Sequence, residues 1–181
     1  MNYSGRFSGI DAITGRMSGV TVCEVGPAQG HYAFLDRDGA VLGVGGAGDA
    51  GQFPGTAKKL PLAMDQKSLQ SVVDAGQRAG NGSGKVRSRE DHDDSVSARA
   101  GIAQNFKLQG DKVTCDLSLL DAYRNRALVL ETAQKSPDLL GLSLDCKFEA
   151  EIKGDVAYMR VNEIDALDIV GKGALTPAGL L

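Results

Sequence analysis

The chain has 181 residues, 42% hydrophobic and 24% charged, which supplies one core and is too ordinary for a wholly disordered protein. Lys and Arg number 20 against 23 Asp and Glu, and the formal net charge of -3 argues against a general nucleic-acid binder. No apolar run approaches the ~20 residues of a membrane span, and residues 1–6 lead into no signal-peptide stretch.

The length fits a single domain over residues 1–181. Glycine is abundant at 24 residues and there is no Trp, which predicts turns around small apolar strands. Val20-Thr21-Val22-Cys23-Glu24-Val25 alternates and is β-branched, as a half-buried strand should be, and Gly26-Pro27 ends it. His31-Tyr32-Ala33-Phe34-Leu35 and Ala40-Val41-Leu42-Gly43-Val44 flank Asp38-Gly39, a hairpin signal. The glycine-rich segment at about 43–54 reads as a mobile loop. Lys59-Leu60-Pro61-Leu62-Ala63-Met64 predicts a short strand, placed at a sheet edge by Pro61.

Asp65 offers an N-cap to a helix in which Leu69, Val72 and Val73 share one face, with Gly76 and Gly80 as stops. Lys85-Val86-Arg87-Ser88-Arg89 leads as a strand into His92. Residues 101–108 and 113–119 alternate around Gln109-Gly110-Asp111, a two-strand antiparallel signature. Helix formers fill 121–135, and Pro137 ends that helix. In the strand that follows, Leu142, Leu144, Cys146 and Phe148 share one face, so Ser143 and Asp145 point the other way. Residues 156–170 read as a final long strand. The class is α+β and β-rich, a barrel or folded sheet with two or three helices.

Cys23, Cys115 and Cys146 are far apart, with no CxxC pair, which excludes a common zinc site and a dense disulfide framework. A reducing, cytoplasm-like compartment is the economical reading. Gly82-Ser83-Gly84-Lys85 imitates the end of a phosphate loop, but Ala79 and Val86 stand where that motif needs Gly and a hydroxyl. No cofactor or metal is expected. Asp91-His92-Asp93-Asp94 is the densest polar cluster. By itself it is a solvated acidic loop or a catalytic His beside carboxylates. Ser143 lies in no GxSxG elbow, so alone it reads as a solvent-facing serine.

The order and spacing of several segments resemble the prohead (capsid maturation) proteases of tailed bacteriophages, which share a fold with herpesvirus assemblin. The segments are Val86-Arg87-Ser88-Arg89-Glu90-Asp91-His92, Ile102-Ala103-Gln104-Asn105-Phe106, the run 111–117, Arg124-Asn125-Arg126-Ala127-Leu128-Val129-Leu130, Pro137-Asp138-Leu139-Leu140-Gly141-Leu142-Ser143-Leu144-Asp145, the run 161–170 and Thr176-Pro177-Ala178-Gly179-Leu180. About half of the chain is covered. The resemblance implies an assemblin-like β-barrel with flanking helices and a serine endopeptidase with His92 as general base and Ser143 as nucleophile. Asp93 departs from the Pro or Gly that follows the histidine in many relatives. A third, orienting residue is expected among Glu163, Asp165 and Asp168, and Asp168 best matches the family's acidic position. The implied substrates are scaffold protein, the N-terminal region of the major capsid protein and the protease itself. The implied place is the host cytoplasm, inside the prohead, with no nucleic-acid or membrane partner and with homo-oligomers compatible. The competing expectation is a non-catalytic capsid or scaffold assembly protein of the same fold. A cysteine hydrolase using Cys115 or Cys146 ranks third, since neither has a local base.

Overall fold

The computed structural model describes residues 9–171. Among the described residues ten strands form one mixed sheet, accompanied by two α-helices. The strands are β1 (Ile10–Asp11), β2 (Arg16–Glu24), β3 (Gly26–Leu35), β4 (Val41–Gly46), β5 (Lys58–Met64), β6 (Val86–Glu90), β7 (Arg99–Gln109), β8 (Lys112–Leu119), β9 (Gly141–Lys153) and β10 (Val156–Val170). The helices are α1 (Gln66–Gly82) and α2 (Arg126–Lys135).

β10 organises the sheet. One of its edges carries β9 in an antiparallel ladder along almost its whole length, with register shifts near Val161 and Ile164. Its other edge is shared end to end by two parallel strands, β5 at Ala157 and Tyr158, and β6 from Leu167 to Ile169. Beyond β5 lie β3 and β4; beyond β6 lie β7, β8, β2 and β1. The connection between β5 and β6 is α1, which packs on β7 and β10. Leu69, Val72 and Val73 are buried there as their helical spacing requires. Asp65 caps the helix: its carboxylate accepts from the Ser68 amide at 2.8 Å, and its own amide donates to Ser68 Oγ at 3.1 Å.

Three local expectations are corrected. Gly76 does not stop α1. A Cβ there would lie 2.4 Å from the Phe106 ring, so the glycine admits an aromatic side chain of β7 against the helix. Regular helix geometry is lost at Ala79 (ψ 161), immediately before Gly80, which has φ +58. Pro61 is not on an edge strand, because β5 pairs with β3 and β10 together; the β10 ladder starts only at Leu62, one residue past the missing donor. The stretch read as a loop, 43–54, contains part of β4 and a 3-10 turn, Ala47–Gln52. Asp49 accepts from the Gly46 amide at 2.8 Å, and Phe53 stacks on Phe34 at 4.1 Å over Gly43, where a Cβ would not fit.

Candidate active site

Three strands bring the chemistry together. Asp168 of β10 is the direct cross-strand neighbour of Arg89 on β6 and of Ser143 on β9, so the three side chains leave the same face of the sheet in one row. Asp145 lies two residues beyond Ser143 on that face, as the alternation of β9 requires.

His92 reaches this row from a tight turn after β6. The Asp91 amide donates to Ile169 O at 3.2 Å, and the chain then takes two left-handed residues, Asp91 (φ 48) and His92 (φ 61). Asp and His are among the side chains that tolerate this region best, and consecutive strained residues often mark functional turns. Asp93 secures the exit. Its amide donates to Glu90 O at 3.0 Å, and its carboxylate accepts from the Ser95 amide at 2.8 Å and from Ser95 Oγ at 2.9 Å. Glu90 is tied in turn to Asn125 Nδ2 at 2.5 Å. The turn delivers the imidazole to the buried carboxylate, with His92 Nδ1 2.6 Å from Asp168 Oδ2.

That contact fixes the ring's chemistry. An ionised carboxylate only accepts, so in the neutral ring Nδ1 carries the proton and Nε2 keeps its lone pair. Asp168 is wholly buried and is held by Arg89 through a two-pronged contact, Nε to Oδ1 at 2.7 Å and Nη2 to Oδ2 at 2.8 Å. Arg89 also donates to Asp145 at 2.7 Å and to Asp94 at 2.5 Å, while Arg87 lies 3.5 Å from Asp94. Asp168 above all, with Asp94 and Asp145, pushes the Arg89 guanidinium up and outweighs the opposing effect of burial. The hydrogen bond from Arg89 holds the Asp94 carboxyl below its usual range. Two guanidinium groups therefore face three carboxylates, leaving one negative charge for an imidazolium at His92 to neutralise.

His92 and Asp168 are thus in contact, and Ser143 stands beside Asp168 across the ladder. Among the described residues the Ser143 hydroxyl makes no hydrogen bond to His92. Of the other two acidic candidates, Glu163 pairs with Lys147 at 2.8 Å on an exposed face, and Asp165 offers its backbone carbonyl to Arg87. The sequence singles out Asp94 only as part of the Asp91–Asp94 cluster and assigns no role to Arg89 or Asp145. Its only signal for Asp145 was the shared face with Ser143. His31, on β3, lines the same cavity as Ser143.

The cysteines are free. Burial pushes the Cys23 and Cys115 thiols well up and that of Cys146 up to about 12, so none is poised as a thiolate. Among the described residues no helix is long and apolar enough to cross a membrane, and no cluster of metal-ligating side chains occurs. No family model matches the chain, and no curated protein or solved structure matches it either.

Proposed function

We propose that the chain is a serine endopeptidase of the prohead-maturation type, its sheet belonging to an assemblin-like β-barrel. The observation that supports this reading best is the contact between His92 Nδ1 and the buried Asp168, with Ser143 next to that carboxylate across the ladder. The reaction is acyl transfer. Nε2 of neutral His92 removes the Ser143 hydroxyl proton while Oγ attacks a peptide carbonyl. The imidazolium formed fills the charge deficit of the surrounding cluster, then protonates the leaving amine. Water repeats the sequence to release the acyl group. Asp168 holds the tautomer and faces the cation throughout. The substrates in this reading are scaffold protein, the N-terminal region of the major capsid protein and the enzyme's own chain, processed inside the prohead in the host cytoplasm.

The test is cleavage of co-expressed scaffold and capsid protein. Ser143→Ala and His92→Ala should each abolish it, a loss on the order of 10⁶ in kcat where a triad acts as a unit. Asp168→Asn should be severe but partial. Full proteolysis by purified Ser143→Ala would refute the assignment. The lack of a Ser143–His92 hydrogen bond favours a second reading, a non-catalytic assembly protein of the same fold. In catalytic sites that bond often tightens only when substrate binds. A serine-reactive phosphonate separates the two: labelling that vanishes in Ser143→Ala identifies the enzyme.

A further inference from the structure

Ser143 lines a cavity of about 170 Å³ between β9 and the β3–β4 hairpin. Its most buried walls are apolar: Ala28 from β3, Leu62 from β5 and Met159 from β10. Val44 and Phe148 flank it. The less buried lining is mixed: Ser143, Asp145 and His31 are polar, while Leu144 and Cys146 join Val44 and Phe148 as apolar neighbours, so the cavity has an apolar floor and a partly polar rim. An apolar cavity of about 150 Å³ encloses a benzene molecule, so this one admits a side chain the size of Leu, Met or Phe. The one carboxylate at the rim, Asp145, is already engaged by Arg89. Nothing in the floor would compensate a buried charge.

The backbone around the cavity suits a strand-shaped ligand. β9 is laddered only to β10, and β4 only to β3, among the described residues. The gap between them continues past the cavity along Val41, Gly43, Lys147 and Ala150. Each strand edge facing it carries unpaired N–H and C=O groups, the template on which an extended peptide adds as a further strand.

We propose that this cavity is a specificity site that takes one medium-sized apolar side chain of an extended peptide laid along the free edge of β9, adjacent to the bond that Ser143 attacks. The proposal rests on the peptidase reading for its chemistry but not for its binding. Selectivity follows from burial: a Leu, Met or Phe should exceed Gly at that position by about 10- to 100-fold in kcat/KM, and Asp or Lys should be rejected. Val44→Phe should fill the cavity and reverse the order, and Met159→Ala should enlarge it and shift the preference toward Phe.

Two measurements test this on the full chain. The first is turnover of an acyl-tetrapeptide aminocoumarin library with the residue before the coumarin varied, using wild type and both variants. The second is backbone NMR titration of the wild type with two N-acetylated peptide amides that differ only by Leu or Gly at one position. Cleavage that follows the apolar order and changes with Met159→Ala supports the site. Absence of cleavage, with shifts at Val44, Leu144 and Phe148 from the Leu peptide alone, supports the site and overturns the peptidase reading. Cleavage indifferent to that side chain and to both variants overturns the site and leaves the reading standing. Neither cleavage nor selective shifts overturns both.

Discussion

Replacing Arg89 with Met exposes how the row on β6, β10 and β9 is balanced. The guanidinium is 5% exposed and its main partner, Asp168, is 0% exposed, so the substitution strands a carboxylate where water cannot replace the lost donors. Deleting one partner of a buried ion pair costs about 3–5 kcal/mol. The bonds to Asp145 and Asp94 add little, because those carboxylates are 42% and 71% exposed and can be resolvated. Against a domain stability of about 5–15 kcal/mol, the variant should remain folded in the cold with a much lower urea midpoint. Arg89→Lys keeps the charge but loses the fork, and should fall between wild type and Met. The decisive comparison is the double variant Arg89→Met/Asp168→Leu, which removes both charges and should be more stable than Arg89→Met alone. Circular dichroism in urea at pH 7 measures these four proteins and the single variant Asp168→Leu. The reasoning fails if Arg89→Met costs under about 1 kcal/mol, or if the double variant loses the sum of the two singles.

Gly76→Ala should destabilise the protein by about 1–2 kcal/mol in thermal melts, although alanine normally gains about 1 kcal/mol inside a helix, because its methyl collides with the Phe106 ring; Phe106→Leu in the same chain should recover part of the loss. Acid should unfold the protein steeply below about pH 4.5. Arg160, then Lys67 and Lys153, hold Glu151 down to about 2, and at Asp65 the bonds from Arg160 and Ser68 outweigh the opposing effect of burial. Both folded values lie below the unfolded ones, so this stability is present above the unfolded range and is lost as pH falls through the folded values; in Arg160→Ala the acid limb should be shallower. His31→Gln should change KM for peptide substrates and leave kcat within a few-fold, whereas His92→Gln should abolish turnover; the opposite pattern in steady-state assays would move the base to β3.

What could be read from the sequence was local. The strand carrying Leu142 and Ser143, the long strand Val156–Val170 and the Asp65 cap depend on period, alternation and one side chain. The left-out part is non-local. Gly76 looks like a stop because its own propensity says so, and only Phe106, thirty positions later, makes it a packing site. Pro61 reads as an edge residue until β10 arrives beside Leu62. Arg89 sits in an alternating, highly charged segment where nothing nearby distinguishes a solvated arginine from a buried one. Its partners on β9 and β10 are 56 and 79 positions away. Asp168 was the preferred orienting carboxylate, and it is the one in contact with His92. Glu163 touches Lys147 instead, and Asp165 meets Arg87 through its backbone carbonyl.

The strand that holds the sheet together, β10, follows all the other strands of the described residues. On the ribosome the segments bearing His92 and Ser143 therefore emerge before the strand that sets them side by side. Until Val156–Val170 docks, β6 lacks its parallel neighbour, β9 lacks a partner, and the imidazole has no buried carboxylate to meet. Pairings across such long sequence separations form late and slowly. In the peptidase reading a growing polypeptide is thereby spared self-cleavage, and a truncation before residue 156 would leave His92 and Ser143 unassembled.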